Sequence, residues 1–98
     1  MITIDQAHSV LNDLLSENKI TFDSHEFINK YRKTYENEYL AMLLDNRSPR
    51  NTAVQTTNSI IARFLSQNAK ELHIEKDSVV YSYNDHGEKS SNAKWRFI

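Results

Sequence analysis

At 98 residues and a formal charge of −1, the chain is sized for one domain that buries roughly 65% of its unfolded surface around a single core. Cysteine is absent and charged residues make up 26%, so a disulfide framework, a thiolate metal site and a cysteine nucleophile are excluded and extensive disorder is not expected. The longest apolar run, Leu40 to Leu44, is far short of the roughly 20 residues that cross a bilayer. No membrane partner is expected.

The N-terminal Met1-Ile2-Thr3-Ile4-Asp5 has no basic region followed by an apolar stretch, so the expected location is cytoplasmic. Glycine and proline each occur once, where about seven and about five are usual, which points to long helices and few tight turns. Thr3-Ile4-Asp5-Gln6 has the spacing of a capping box, in which the threonine hydroxyl and the glutamine amide satisfy free N–H groups at a helix start. The helix it opens is expected to reach about Asn18, with Ile4, Ala7, Leu11, Leu14 and Leu15 as its inward stripe.

Asp23-Ser24-His25-Glu26 repeats the capping spacing, and Phe22 and Phe27 flank it as a hydrophobic staple would. From Ser24 to about Asp45 the pattern fits one long helix or two. A break near Lys33 and Thr34 is favoured, because threonine caps better than it fills a helix interior. Ser48 followed by Pro49 suits another start, with proline at the first helical position. This helix is expected to run to about Asn68 or Lys70, with Val54, Thr57, Ile61, Phe64 and Leu65 inward and Leu72 and Ile74 closing the core.

After Asp77 the period changes from 3.6 to 2. Ser78 to Tyr83 and Ala93 to Ile98 read as half-buried strands, Trp95 and Phe97 inward and Lys94 and Arg96 outward, with Asn84 to Asn92 as the loop of a hairpin. The fold class is therefore α+β: mainly helical with a C-terminal antiparallel β-hairpin, all within one domain.

Chemistry is poorly represented. His8, His25, His73 and His86 fall in separate elements with no pair at i, i+4, so no metal site is expected. A single glycine leaves no strained turn for a nucleophile and no phosphate-cradling loop. Glu36 and Glu38 are two apart on a helix and point to different faces. The expectation is a protein without catalytic residues or cofactor.

Binding features are better represented, and they divide between two surfaces. Tyr31, Tyr35 and Tyr39 recur every four residues beside Lys30, Arg32 and Lys33. They read either as rings packed on the core with hydroxyls reaching water, or as a protein-binding surface of Tyr31, Arg32, Tyr35 and Tyr39. The Pro49 helix offers the other surface, with Arg50, Asn51, Gln55, Asn58, Ser59, Arg63 and Gln67 outward. Asparagine, glutamine and arginine can make paired hydrogen bonds to base edges. Residues 1 to 45 hold four basic and eight acidic residues, residues 46 to 98 eight and five, and no carboxylate lies between Asn46 and Lys70.

Three helices from about residue 20, the third polar outside and free of acids, followed by a two-stranded hairpin, resemble a winged-helix domain. The likeness spans residues 21–98, residues 1–20 forming an N-terminal helix, and it implies a non-catalytic module that binds double-stranded DNA or regulates a nucleic-acid process. It implies contacts through Arg47, Arg50, Asn51, Gln55, Asn58 and Arg63 on and before the third helix, and through Lys89, Lys94 and Arg96 near the wing. The segments His25-Glu26-Phe27-Ile28 and Tyr83-Asn84-Asp85-His86-Gly87 to Trp95 are also similar to small uncharacterised proteins of bacterial mobile elements, a likeness that implies no activity. With Asp85 and Glu88 in the wing, one copy offers few phosphate contacts, so a homodimer is expected if DNA is the ligand. The alternative is an adapter or inhibitor that binds a protein partner through the tyrosine face.

Overall fold

A computed structural model describes residues 1–47, 52–84 and 87–98. The elements run α1 (Ile4–Ser16), β1 (Thr21–Asp23), α2 (Ser24–Thr34), α3 (Glu36–Asp45), α4 (Ala53–Gln67), β2 (Ile74–Tyr83) and β3 (Lys89–Phe97). The α+β class and the C-terminal antiparallel hairpin are as the sequence pattern predicts. The third strand, β1, is not. It pairs antiparallel with β3 and makes a sheet of order β1-β3-β2, so the last strand of the chain is the central one. None of the helices is long and apolar enough to cross a membrane, among the described residues.

Three helix starts are fixed by reciprocal caps. Thr3 and Gln6 cap α1, Asp23 and Glu26 cap α2, and Thr52 and Gln55 cap α4. The first two are the expected boxes, whereas the expected start at Ser48 and Pro49 lies outside the described residues and α4 begins at Ala53. Phe22 and Phe27 form the staple around the second box, with ring centroids 6.3 Å apart. Glu26 also accepts a 2.5 Å bond from Lys19 Nζ. That bond, together with the carboxylate's charge, raises the lysine pKa. Asp23→Ala, which leaves the Glu26 N–H without its acceptor, should cost about 1 kcal/mol in urea melts. An unchanged midpoint would show the cap to be dispensable.

The helical boundary between α2 and α3 falls at Tyr35 (φ −121°, ψ 54°), which makes no side-chain cap bond. Thr34 is the last residue of α2 and does not cap α3. Tyr31 and Tyr39 are buried in the core and Tyr35 is half-buried against Tyr31, with ring centroids 5.4 Å apart. The tyrosine-rich helix face is thus not an exposed partner surface; two of its three rings fill the interior, as the reading of rings packed on the core expects. Their hydroxyls are satisfied by neighbouring amides: Tyr31 donates to Gln6 Oε1 at 3.1 Å and Tyr39 to Asn58 Oδ1 at 2.7 Å. Arg32, half-buried, donates from Nη2 to Asn29 Oδ1.

Burial, with Glu38 and Tyr35 nearby, pushes the Tyr31 phenol up to about 12. The sign of the linkage follows from which state holds the proton more tightly. Unfolded tyrosine ionises near 10, so the contribution is intact below that pH and is lost as pH rises toward 12. The loss should be roughly 2 to 3 kcal/mol. Urea melts across this range, compared with those of Tyr31→Phe, check it, and parallel pH profiles for the two proteins would refute it.

The remaining core gathers around α2, which touches α1, α3, α4 and β3. From α1 come Ala7, Val10, Leu11 and Leu14, while Leu15 is 45% exposed, so the buried stripe is rotated toward Val10 and away from Leu15. From α4 come Thr57, Ile61 and Leu65, with Val54 and Phe64 only half-buried. Leu72 and Ile74 close this layer as expected.

The hairpin is longer than its period-two signal. Lys89 to Asn92 pair with Tyr83 back to Val80, so the expected nine-residue loop shrinks to Asn84–Glu88. At the tip Gly87 has φ +77° and donates to the Asn84 carbonyl, a left-handed conformation that favours glycine. A register shift at Asp77 divides β2 into an inner part against Trp95 and Phe97 and an outer arm, Ser78–Tyr83. Trp95 is buried and donates from Nε1 to Ser24 Oγ at 3.1 Å. Phe97 is half-buried, its ring 5.3 Å from Phe22. Arg96 is exposed, and Lys94 is half-buried where full exposure was expected, opposite Asp23 of β1.

Candidate functional site

Between α4 and the hairpin lies a cleft of about 740 Å³. One wall is the outer side of α4, contributing Gln55, Asn58, Ser59, Ala62, Arg63 and Ser66; the other is β3 from Ser90 to Ala93 with Trp95, and α2 supplies Ser24, His25 and Ile28 at the base. Spacing explains the α4 wall. Thr57, Ile61 and Leu65 recur every four residues and are buried, so the polar residues between them must face away from the core. Glu88 is the only carboxylate and Arg63 the only permanent cation lining the cleft, among the described residues.

The hairpin wall is held at a fixed distance from α2 by His25. Its Nδ1 lies 2.9 Å from Ser82 Oγ and its Nε2 3.2 Å from Ser90 Oγ. The His25 backbone N–H donates to Asn92 Oδ1, and Asn92 Nδ2 donates to Ser82 Oγ at 3.0 Å. One imidazole thus cross-links both strands to the first turn of α2. Its two ring nitrogens are both occupied by hydroxyls. This network was not legible from sequence, where His25 reads only as a residue of a capped turn.

The expected nucleic-acid contacts are sorted by this geometry into three groups. Gln55, Asn58 and Arg63 line the cleft. Two of them already carry structural bonds, since Gln55 Oε1 accepts from the Thr52 N–H and Asn58 Oδ1 from Tyr39. Arg63 is exposed and has no ion-pair partner among the described residues. Lys89 is exposed at the start of β3, next to Glu88 on the rim, and Arg47 is exposed after α3.

Lys94 and Arg96 do not join them. Neither is among the residues that line the cleft, although Ser90 to Ala93 and Trp95 of the same strand are. Arg96 is engaged in an ion pair with Glu75. Lys94 borders a second, smaller recess with Asp23 and Glu26. Both are corrected out of the cleft. Arg50 and Asn51 lie outside the described residues.

The cleft can therefore offer amide, hydroxyl and guanidinium groups to a polar ligand, on a wall nearly free of negative charge. No group of three or more His, Asp or Glu side chains could hold a metal ion, among the described residues. Comparisons of the chain with protein-family models, with curated proteins and with solved structures find no match.

Proposed function

We propose that the chain is a non-catalytic binding module of winged-helix type that docks on double-stranded DNA through α4 and the hairpin. The observation that carries this reading is the outer side of α4: polar, without a carboxylate, and set across the cleft from a projecting hairpin. The order helix, strand, helices, then a hairpin whose last strand lies between the other two supports it further. The unit is then counted from α1 and not from residue 21, where the sequence pattern starts it: α1 is its first helix, α3 an addition before α4, and β1 the short strand that joins the wing.

In this reading α4 enters the major groove, and Arg63 and Lys89 face phosphates on either side of it. Asn58 retains its Nδ2 donor for a base edge, its Oδ1 being oriented by Tyr39. Arg47 before α4 and Lys70 after it are exposed as well, so one copy offers about four phosphate contacts, each worth roughly 0.9 in the salt slope. Binding by a single copy is therefore weak and strongly salt-dependent.

Fluorescence anisotropy of a labelled duplex at two salt concentrations tests the proposal. The expected result is a log–log salt slope of about −2 to −4, together with a change in the emission of Trp95, the chain's single tryptophan, which lines the cleft. Absence of salt-sensitive binding, with capture of a protein partner from lysate instead, would decide for an adapter.

A further inference from the structure

The outer arm of β2 is an edge strand, because the sheet order leaves β2 paired on one side only. Edges of this kind are normally protected by charge, proline or a bulge. In β2 the charged residues and the bulge are confined to the inner part, Glu75 to Asp77, and the six residues from Ser78 to Tyr83 contain neither charge nor proline. Val79, Tyr81 and Tyr83 are 60%, 71% and 68% exposed on one side of this arm.

The ladder shows where their backbone groups point. At the hairpin end the Asn84 N–H donates to the Glu88 carbonyl, which makes Asn84 and Glu88 a hydrogen-bonded pair. Antiparallel pairs alternate between bonded and non-bonded, so Ser82 with Ser90 and Val80 with Asn92 are bonded, and Tyr83, Tyr81 and Val79 are not. The N–H and C=O groups of Val79, Tyr81 and Tyr83 therefore face away from β3, toward the open edge.

We infer that this edge pairs antiparallel with the same edge of a second copy, with Tyr81 opposite Tyr81 and Val79 opposite Tyr83. This two-fold register matches every outward-facing residue of one strand with an outward-facing residue of the other, and each matched pair exchanges main-chain hydrogen bonds. All residues brought together between Ser78 and Tyr83 are uncharged, so nothing opposes the contact, and tyrosine and valine are favourable cross-strand neighbours. A strand of this kind is its own complement in both spacing and lack of charge. The bulge at Asp77 ends the pairing before carboxylates come into range.

Six paired residues per copy make a contact smaller than the roughly 800 Å² per partner of a stable interface, so the association is expected to be weak and concentration-dependent. Opposed residues in a sheet share a face, so the two clefts of the dimer open on the same side. If the DNA reading holds, one duplex then meets two copies of α4, although the pairing itself does not rest on that reading.

The test uses the full chain without DNA. Sedimentation should show a concentration-dependent dimer. Val79→Lys with Tyr83→Lys should abolish it, while Val79→Lys with Tyr83→Glu should restore it, since the opposed residues then carry opposite charges; both variants alter the same positions, which controls for loss of folding. Because the chain has no cysteine, Tyr81→Cys introduces a lone thiol about 5.5 Å from its counterpart between Cα atoms, within disulfide range. Mild oxidation should cross-link Tyr81→Cys but not Ser78→Cys, whose counterpart lies at the far end of the pairing. A monomer at all concentrations to about 1 mM, a dimer indifferent to charge at Val79 and Tyr83, or equal cross-linking of the two cysteine variants would each overturn the inference. DNA binding that survives such a result would leave the proposed function standing.

Discussion

Phe27→Ala is expected to destabilise the protein by about 3 to 5 kcal/mol, the largest effect of any single truncation considered. Phe27 is fully buried on α2, the helix that touches all three other helices and the central strand. Its ring also closes the staple with Phe22, whose own ring leans on Phe97, so removal leaves a cavity bordered by groups that are themselves held by one another. A domain of this size is stable by only about 5 to 15 kcal/mol, so the variant should unfold at a sharply lower urea concentration. Leu11→Ala should fall in the range of about 2 to 5 kcal/mol for the same reason, and Phe64→Ala below it, since Phe64 is only half-buried. A loss under about 0.5 kcal/mol for Phe27→Ala would mean that the centre of the core is misassigned.

Reversing charge at the cleft should weaken DNA binding at least about tenfold when Arg63→Glu and Lys89→Glu are combined, with a salt slope shallower by about 2. Both positions are exposed, and their replacement disturbs no ion pair among the described residues, so folding should be preserved. Arg96→Glu is the matched control, because Arg96 does not line the cleft and its charge is compensated by Glu75. Its affinity for duplex DNA should stay within about twofold of the unmodified protein. If Arg96→Glu weakens binding as much as the cleft variants do, the DNA lies outside the cleft and α4 is not the reading helix.

Local chemistry was the most legible part of the fold. The boxes Thr3-Gln6 and Asp23-Glu26 appear in the sequence as a hydroxyl or carboxylate three residues before an amide or carboxylate, and both form as read. Strand β1 was not legible, because Thr21-Phe22-Asp23 is too short to show a period and its last residue also caps a helix. The additional strand pairs escaped for a different reason. Lys89-Ser90-Ser91-Asn92 is polar throughout and is held as a strand by its partner across the ladder, where alternation has nothing to report.

The tyrosines show what periodicity alone leaves open. Spacing of four places Tyr31, Tyr35 and Tyr39 on one face, and that face is the inner one, with Tyr31 and Tyr39 buried and Tyr35 half-buried; the same spacing would fit an outward row equally well. For the site, the acid-free polar side of α4 was legible, since it needs only the helical period. Which of the hairpin's cations join it was not, because that depends on how the hairpin is set against α2, which the long-range bonds of His25 and Trp95 fix.

The position of β3 also bears on the order in which the protein folds. Phe22 lies opposite Trp95, and that pairing closes a loop of most of the chain. The three capped helices can flicker into existence while their own residues are alone, on the microsecond scale of local structure. The sheet cannot, since both of its outer strands wait for the one made last. High sequence separation of this kind slows folding, and it leaves the Ser78–Tyr83 edge without even its native neighbour until synthesis has passed Lys94. In that interval the chain is most open to capture by another copy of itself, so crowded expression should favour aggregates that a lower expression level relieves.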